Sequence, residues 1–371
     1  MLYKYLKKLK QAVEEFIWLR LYRRRMAYQQ SLKADHSKPV LFVCHTAYHL
    51  LCAILISRSE SLRADLLLYP GLKRAEEIKA ILDEKGIFNS VTIHTAYDGD
   101  NERYVKAYRR GMNKWKKKQR LMESEHDFSM LKSHCVYIFN DCSSLGYYLQ
   151  VCSIPYRIIE DGLNFRFSFW WDKYMKSELE NARYYYGETK PMVWGCSPLA
   201  REIDLNSIEN SAPSGYWKPE FIERSREALY QDLSREEKTF MLRLFNAQEF
   251  AKELDSVKGL KRVLLLSAVL WEDKYLPSEE AELKYLEELL EKYAAGADAV
   301  IIKPHPRSRK DFTRAKGRLS EAYVVRDCAV PIEMLRFTDQ KFWRIIAVNS
   351  TAAGGIVNAE EVISTGGELM G

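Results

Sequence analysis

Apolar positions along the chain change rhythm four times. Between Met1 and about His36, Leu2, Leu6, Leu9, Val13, Phe16 and Ile17 recur at the spacing of one helix face. From Lys38 onward, short apolar runs alternate with helical stretches. Residues 40–44, 64–69, 91–94, 135–140 and 156–159 read as strands, and 48–56, 74–84, 102–118 and 145–151 as helices. Continuous apolar runs, as opposed to strict alternation, predict strands buried on both faces, hence a parallel sheet flanked by helices. Residues 165–215 are aromatic and less periodic, with Trp170, Trp171, Tyr174 and Trp194, and 220–258 read as charged bridging helices. A second series then begins: strands at 263–266, 299–303, 323–325, 344–348 and 362–364, with helices at 279–293 and 332–337. The pattern predicts an α/β protein of two Rossmann-like domains facing across a cleft. Residues 1–36 form a basic amphipathic N-terminal helix, 37–257 the first domain with the bridging helices, and 258–371 the second.

Composition narrows the class without changing this picture. A chain of 371 residues is long enough for two cores, and its apolar and charged fractions, 47% and 29%, are ordinary for a globular protein. Uncharged runs long enough to cross a bilayer are missing from the sequence, as are an apolar signal segment and a small-residue cleavage site. Seven cysteines without a CxxC pair predict a reducing, cytoplasmic setting and no zinc site. Much of the formal charge of +6 lies in the first tenth of the chain, where Lys4, Lys7, Lys8, Lys10, Arg20, Arg23, Arg24 and Arg25 surround the apolar face. Such a helix suits peripheral contact with an anionic membrane, and packing on its own catalytic body or on a second subunit of a homodimer is the alternative. Nucleic acid is not expected as a partner, since the rest of the chain shows no basic stripe with interleaved stacking aromatics.

Candidate chemistry gathers where strands are expected to end. The run Ala299-Val300-Ile301-Ile302-Lys303-Pro304-His305-Pro306-Arg307 carries a buried strand into a histidine between prolines, each of which restricts its neighbour's backbone. An imidazole mounted there can donate a proton or bind phosphate, although a turn histidine packed between prolines would look the same. Strand 156–159 runs into Glu160-Asp161-Gly162, where one carboxylate can face a ligand while the other fixes the turn. The first strand ends at His45-Thr46 before a helix, a place for an anion or simply for an N-cap. Strand 344–348 leads into Asn349-Ser350-Thr351-Ala352-Ala353-Gly354-Gly355, hydroxyls and small residues suited to a phosphate.

Taken in order, Glu160-Asp161-Gly162, Lys303-Pro304-His305-Pro306 and Asn349-Ser350-Thr351 resemble the acidic, histidine-proline and serine/threonine motifs of bacterial GT-B sialyltransferases. The opening Phe42-Val43-Cys44-His45-Thr46-Ala47-Tyr48-His49 and the segment Val330-Pro331-Ile332-Glu333-Met334 also resemble the lipooligosaccharide sialyltransferase family (family 52) and the bacterial polysialyltransferases. The resemblance implies inverting transfer of sialic acid from CMP-sialic acid to a hydroxyl of a capsule- or lipooligosaccharide-type glycan, with no metal and no further cofactor. It implies Glu160 or Asp161 as the base, and His305 on the departing CMP phosphate. It further implies Ser350 and Thr351 on the same phosphate and Glu333 on the ribose. By position alone, Lys303, Pro304 and Thr46 are candidates for the donor side, with solvated flanking charge the alternative for Lys303, and His45 and Gly162 are candidates for the acceptor side. Ser350-Thr351 departs from the paired serines common in these families. Other transferases of the same fold that use CMP-Kdo, CDP-glycerol or a glucosyl donor are the alternative, and a nonenzymatic glycan- or nucleotide-binding module is another.

Overall fold

The computed structural model describes residues 2–94, 119–120, 122–124, 127–141, 143–161, 195, 197–209, 219–350 and 358–366. The chain divides into two compact units, Met1–Leu229 and Tyr230–Gly371. The predicted helix at 102–118 and most of the aromatic stretch after Phe165 lie outside the described residues.

In the first unit the described elements run α1 (Leu2–Ser31), β1 (Val40–Cys44), α2 (Ala47–Ser59), β2 (Ala64–Leu68), α3 (Ala75–Lys85), β3 (Val91–Ile93), α4 (Ser129–Ser133), β4 (Cys135–Ile138), α5 (Ser144–Cys152), β5 (Tyr156–Ile159), β6 (Ala200–Leu205) and β7 (Glu220–Glu223). The seven strands form one sheet in the order β3-β2-β1-β4-β5-β6-β7, every pair parallel. All five residues of β1 are buried, as a strand covered on both faces requires. The order reverses between β1 and β4, so the loops after these strands diverge and leave a crevice at their carboxyl ends. Gly146 lets the first turn of α5 close on the loop that follows β4: a Cβ there would lie 2.4 Å from the Asp141 backbone.

Helix α1 has two halves. Its later half packs on the unit through buried Tyr22, Met26 and Gln29, with Arg25 Nη2 donating to the Gln150 carbonyl at 2.9 Å and Gln29 Nε2 to Ser153 Oγ at 3.2 Å. Its earlier half leaves Tyr5, Leu6, Leu9, Val13, Phe16 and Ile17 exposed.

Strands β6 and β7 have no counterpart in the sequence expectation. Pattern reading fails there for a physical reason: β6 reads Ala-Arg-Glu-Ile-Asp-Leu, yet most of it is buried, because its acids are neutralised by arginines from neighbouring strands and turns. Glu202 Oε2 accepts from Arg157 Nε at 2.5 Å, and Asp204, wholly buried, is met by Arg224 Nε at 2.7 Å and Arg226 Nη1 at 2.8 Å. β7, at the start of the stretch expected to be helical, pairs with β6 instead.

The second unit contains α6 (Arg235–Leu244), α7 (Ala247–Glu253), β8 (Arg262–Leu266), α8 (Glu279–Tyr293), β9 (Ala299–Lys303), β10 (Tyr323–Val324), β11 (Phe342–Val348) and β12 (Ala359–Thr365). Its sheet, order β10-β9-β8-β11-β12, is again wholly parallel and reverses between β8 and β11. Val263, Leu265, Ile302, Ile346 and Val348 pack on Leu286 and Leu290 of α8. The bridging helices α6 and α7, assigned by sequence to the first domain, fall in this second unit. The reason is polar: buried Arg262 donates to the Leu254 carbonyl at 3.3 Å and to Gln340 Oε1 at 2.7 Å, while Gln340 Nε2 reaches the Ala251 carbonyl at 3.0 Å. The helix expected at 332–337 is a 3₁₀ turn, Ile332–Phe337.

Asp204 supplies a test of this architecture. Asp204→Ala leaves Arg226 buried without its carboxylate, so unfolding in urea should show a loss of about 3–5 kcal/mol. A loss below about 1 kcal/mol would place the stability of the β5-β6-β7 edge elsewhere.

Candidate functional site

On the first unit, the carboxyl rim of the sheet gathers the residues singled out by sequence. The turn after β1 presents His45 and Thr46. Thr46 is the N-cap of α2, its Oγ1 accepting from the His49 backbone N–H at 3.2 Å, so this hydroxyl has a structural task. The His45 ring lies on Tyr69 with centroids 3.9 Å apart, and Tyr69 in turn stacks on His94 at 5.3 Å. Both ring nitrogens of His45 are shut from solvent. Burial, then the neighbouring His49, lowers its pKa to about 3, so the ring is neutral throughout the physiological range.

The acidic motif follows β5, and its two carboxylates differ. Glu160 is buried and its Oε2 accepts from the Asn206 backbone N–H at 2.5 Å, while its own N–H bonds to the Asp204 carbonyl at 2.8 Å. Asp161 keeps 28% of its side chain exposed, with Oδ2 3.1 Å from His49 Nε2. His49 itself is buried on the first turn of α2, its ring stacked on Phe139 at 4.2 Å and its Nδ1 accepting from the His45 backbone N–H at 3.1 Å. Sequence reasoning quoted His49 within a longer run and gave it no role. The available signal was its place four residues after His45 on an expected helix, which turns both toward one strand end. Gly162 lies outside the described residues.

On the second unit, β9 delivers Lys303 and the Pro-His-Pro turn to the rim. His305 is partly buried, and its Nδ1 accepts from the Arg307 backbone N–H at 3.1 Å. In the neutral ring the proton therefore sits on Nε2, which is left as the donor. Burial first, then Arg307 and Lys303, lowers the His305 pKa to about 4. Without an anionic ligand the ring is therefore neutral near pH 7. Pro304 beside it is half-buried.

Two other expected donor-side residues face inward. Lys303 is buried and its Nζ donates to the Cys328 carbonyl at 2.9 Å, tying down the loop before the 3₁₀ turn. Glu333 in that turn is buried as well, and burial holds its pKa above the usual carboxylate range, against the pull of Lys303. After β11, Asn349 takes a left-handed φ of 45°, a region asparagine tolerates, and its N–H bonds to the Thr365 carbonyl at 2.8 Å. Ser350 follows half-buried. Thr351 and the small residues after it lie outside the described residues. Between these loops, at the end of β8, stands Ser267, buried and with no hydrogen-bond partner for its hydroxyl among the described residues. A single serine after an apolar run gives too little signal to be found by pattern.

The rims thus offer a paired carboxylate supported by histidines on one unit, and on the other a proton-bearing imidazole beside hydroxyls and basic residues. The first suits proton abstraction and the second an anionic leaving group. Among the described residues no group of histidine, cysteine, aspartate and glutamate side chains is arranged to hold a metal ion.

The sequence profile of a family described as alpha-2,8-polysialyltransferase (POLYST) matches residues 40–364 of this chain. A protein of Haemophilus influenzae described as uncharacterized is 33% identical over 90 residues, a match that spans 24% of this chain and only 27% of that protein. The crystal structure of an alpha/beta-galactoside alpha-2,3-sialyltransferase from the luminous marine bacterium Photobacterium phosphoreum superposes with a TM-score of 0.50 at 10% identity, covering 88% of this chain and 90% of that one. A UDP-GlcNAc 2-epimerase from Neisseria meningitidis, bound to UDP-GlcNAc, follows at a TM-score of 0.38 and 12% identity, covering 83% and 77% of the two chains.

Ring-nitrogen NMR on histidine-labelled protein should show His305 as the Nε2–H tautomer with a midpoint near 4. Because the folded pKa lies below that of the unfolded chain, the unfolded state binds the extra proton between the two values. Stability contributed by the neutral ring is complete above the unfolded pKa and falls as pH drops toward 4. A midpoint near the unperturbed 6.5 would overturn this electrostatic picture.

Proposed function

Given that the chain belongs to the alpha-2,8-polysialyltransferase family, we propose that it transfers sialic acid from CMP-sialic acid to a hydroxyl of a glycan that itself ends in sialic acid, inverting the anomeric carbon. Membership makes it a sialyltransferase, hence a glycosyltransferase, and its two parallel α/β units are of the GT-B class seen in the Photobacterium enzyme. The observation that carries the finer proposal is the placement of the motifs. The acidic pair follows β5, His305 follows β9 and Ser350 follows β11, each at the carboxyl end of a parallel strand where ligands of such sheets bind.

In the proposed reaction a carboxylate of the acidic motif takes the proton of the acceptor hydroxyl as its oxygen bonds to the anomeric carbon. The bond from that carbon to the phosphate oxygen breaks, and its electron pair leaves with CMP. His305 donates through Nε2 to the departing phosphate, whose arrival as an anion would raise the ring's pKa and favour the imidazolium. Ser350 and Thr351 hold the same phosphate. Lys303, turned inward to the Cys328 carbonyl, serves by fixing the loop that carries Glu333. No diphosphate is broken, so the scheme calls for no Mg²⁺.

We assign the chain to the cytoplasmic face of the cell membrane. None of the described helices is long and apolar enough to cross a membrane. The exposed face of α1 instead combines Leu9, Val13, Phe16 and Ile17 with exposed Arg20, Arg23 and Arg24, of which Arg20 and Arg24 extend the same stripe by two further turns. Apolar side chains that enter the headgroup layer beside arginines are the chemistry of an anionic lipid surface, at about 1 kcal/mol per basic residue.

Incubated with an oligosialic acid acceptor, the full chain should transfer sugar from CMP-sialic acid and not from CMP-Kdo, CDP-glycerol or UDP-glucose. Preference for one of the others would sink the donor assignment, and ligand binding without turnover of any would leave a binding module. His305→Ala should lower kcat at least about a hundredfold with the fold intact, and full activity in that variant would overturn the mechanism.

The intact chain should also sediment with vesicles containing phosphatidylglycerol but not with pure phosphatidylcholine, and Phe16→Glu should abolish the binding. Self-association in place of vesicle binding would make the α1 face a homodimer contact.

A further inference from the structure

We propose that His49 is a positioning residue for the Asp161 carboxylate, which acts as the general base of the transfer; the assignment rests on the sialyltransferase reading above. Three contacts hold the His49 ring. Its backbone N–H is bonded to the Thr46 N-cap at 3.2 Å, its plane lies on Phe139 at 4.2 Å with 4° between the rings, and its Nδ1 accepts from the His45 N–H at 3.1 Å. An Nδ1 that accepts carries no proton, so in the neutral ring the proton is on Nε2, the nitrogen 3.1 Å from Asp161 Oδ2. In the ligand-free chain the N–H does not point squarely at that oxygen. Hydrogen bonds of this kind tighten when substrate arrives.

The two carboxylates of the motif divide the work by burial. Glu160 is sealed in, with one oxygen already taken by the Asn206 N–H, and therefore holds the turn. Asp161 is the member that solvent, and so an acceptor hydroxyl, can reach. Among the described residues near the pair are His45 from the end of β1, held neutral by burial, His94 from the end of β3 acting on His45, and Glu160 beside Asp161 on the end of β5. Phe139, from the end of β4, brings no charge. His49 is the donor this geometry brings within 3.1 Å of the base. A hydrogen bond given to an ionised carboxylate favours that form and keeps it in one orientation. In the step itself Asp161 takes the hydroxyl proton while the new carbon–oxygen bond forms and CMP departs with the electron pair of the old one.

Two substitutions separate the ring's contacts. The amide of His49→Gln reaches the place of Nε2 and keeps a donor toward Asp161, whereas the oxygen of His49→Asn stands near Nδ1, keeping the contact with His45 and losing the donor. His49→Gln should retain kcat within about threefold, and His49→Asn should lose about a hundredfold in kcat with both KM values little changed. In His49→Asn the acid limb of the kcat profile should also move to higher pH, since the carboxylate has lost the bond that favoured its ionised form.

Equal losses in both variants, or a wild-type kcat and profile in His49→Asn, would overturn the role. Loss of transfer in Asp161→Asn with activity kept in Glu160→Gln supports the base assignment. The reverse overturns it while leaving sialyl transfer itself intact, and no transfer by the unmodified chain would instead sink the functional reading on which it rests.

Discussion

Parallel pairing of strands that are buried on both faces is the constraint from which the rest of this protein follows. In β1, β8 and β9 nearly every side chain is enclosed by neighbouring strands and flanking helices, so the strand bodies have no room for unpaired polar chemistry. Polar side chains that are to meet a ligand have to stand where strands end. Each sheet also reverses its strand order once, between β1 and β4 in the first and between β8 and β11 in the second, which opens a crevice at the carboxyl rim. His45, His49 and Asp161 collect at one such rim, and His305, Ser267 and Ser350 at the other.

Burial at these rims sets the electrostatics. Desolvation drives His45 and His305 toward their neutral forms, to about 3 and about 4. In His305 the basic neighbours Arg307 and Lys303 push the same way, so positive potential is already present before an anion binds. A ring in that setting is a neutral donor whose pKa rises, favouring the imidazolium, once an anionic phosphate arrives. The same principle separates two adjacent carboxylates: one is enclosed and bonded to a backbone N–H, the other remains within reach of solvent.

Among the described residues, paired polar groups are also buried away from the rims. Asp204 with Arg224 and Arg226, and Arg262 with Gln340, hold elements together that hydrophobic patterning alone would leave apart. This is why β6 escaped detection and why the bridging helices α6 and α7 join the second unit. A strand written Ala-Arg-Glu-Ile-Asp-Leu carries no apolar run, because its partners lie on other strands and turns far along the chain.

The sequence by itself determined the α/β alternation, most strand positions, the helical N-terminus and the three motifs, because each is encoded locally: apolar runs, helix spacing, and proline or glycine beside the functional side chain. It also placed His305 and the acidic pair at strand ends. Only the tertiary structure decided which member of the acidic pair is enclosed, that Lys303 and Glu333 turn inward, that Thr46 is occupied as a cap, and that His49 stands against Asp161. Those outcomes depend on burial and on contacts between residues separated by tens to a hundred positions, such as His49 and Asp161 or Glu160 and Asn206, and no local pattern carries that information.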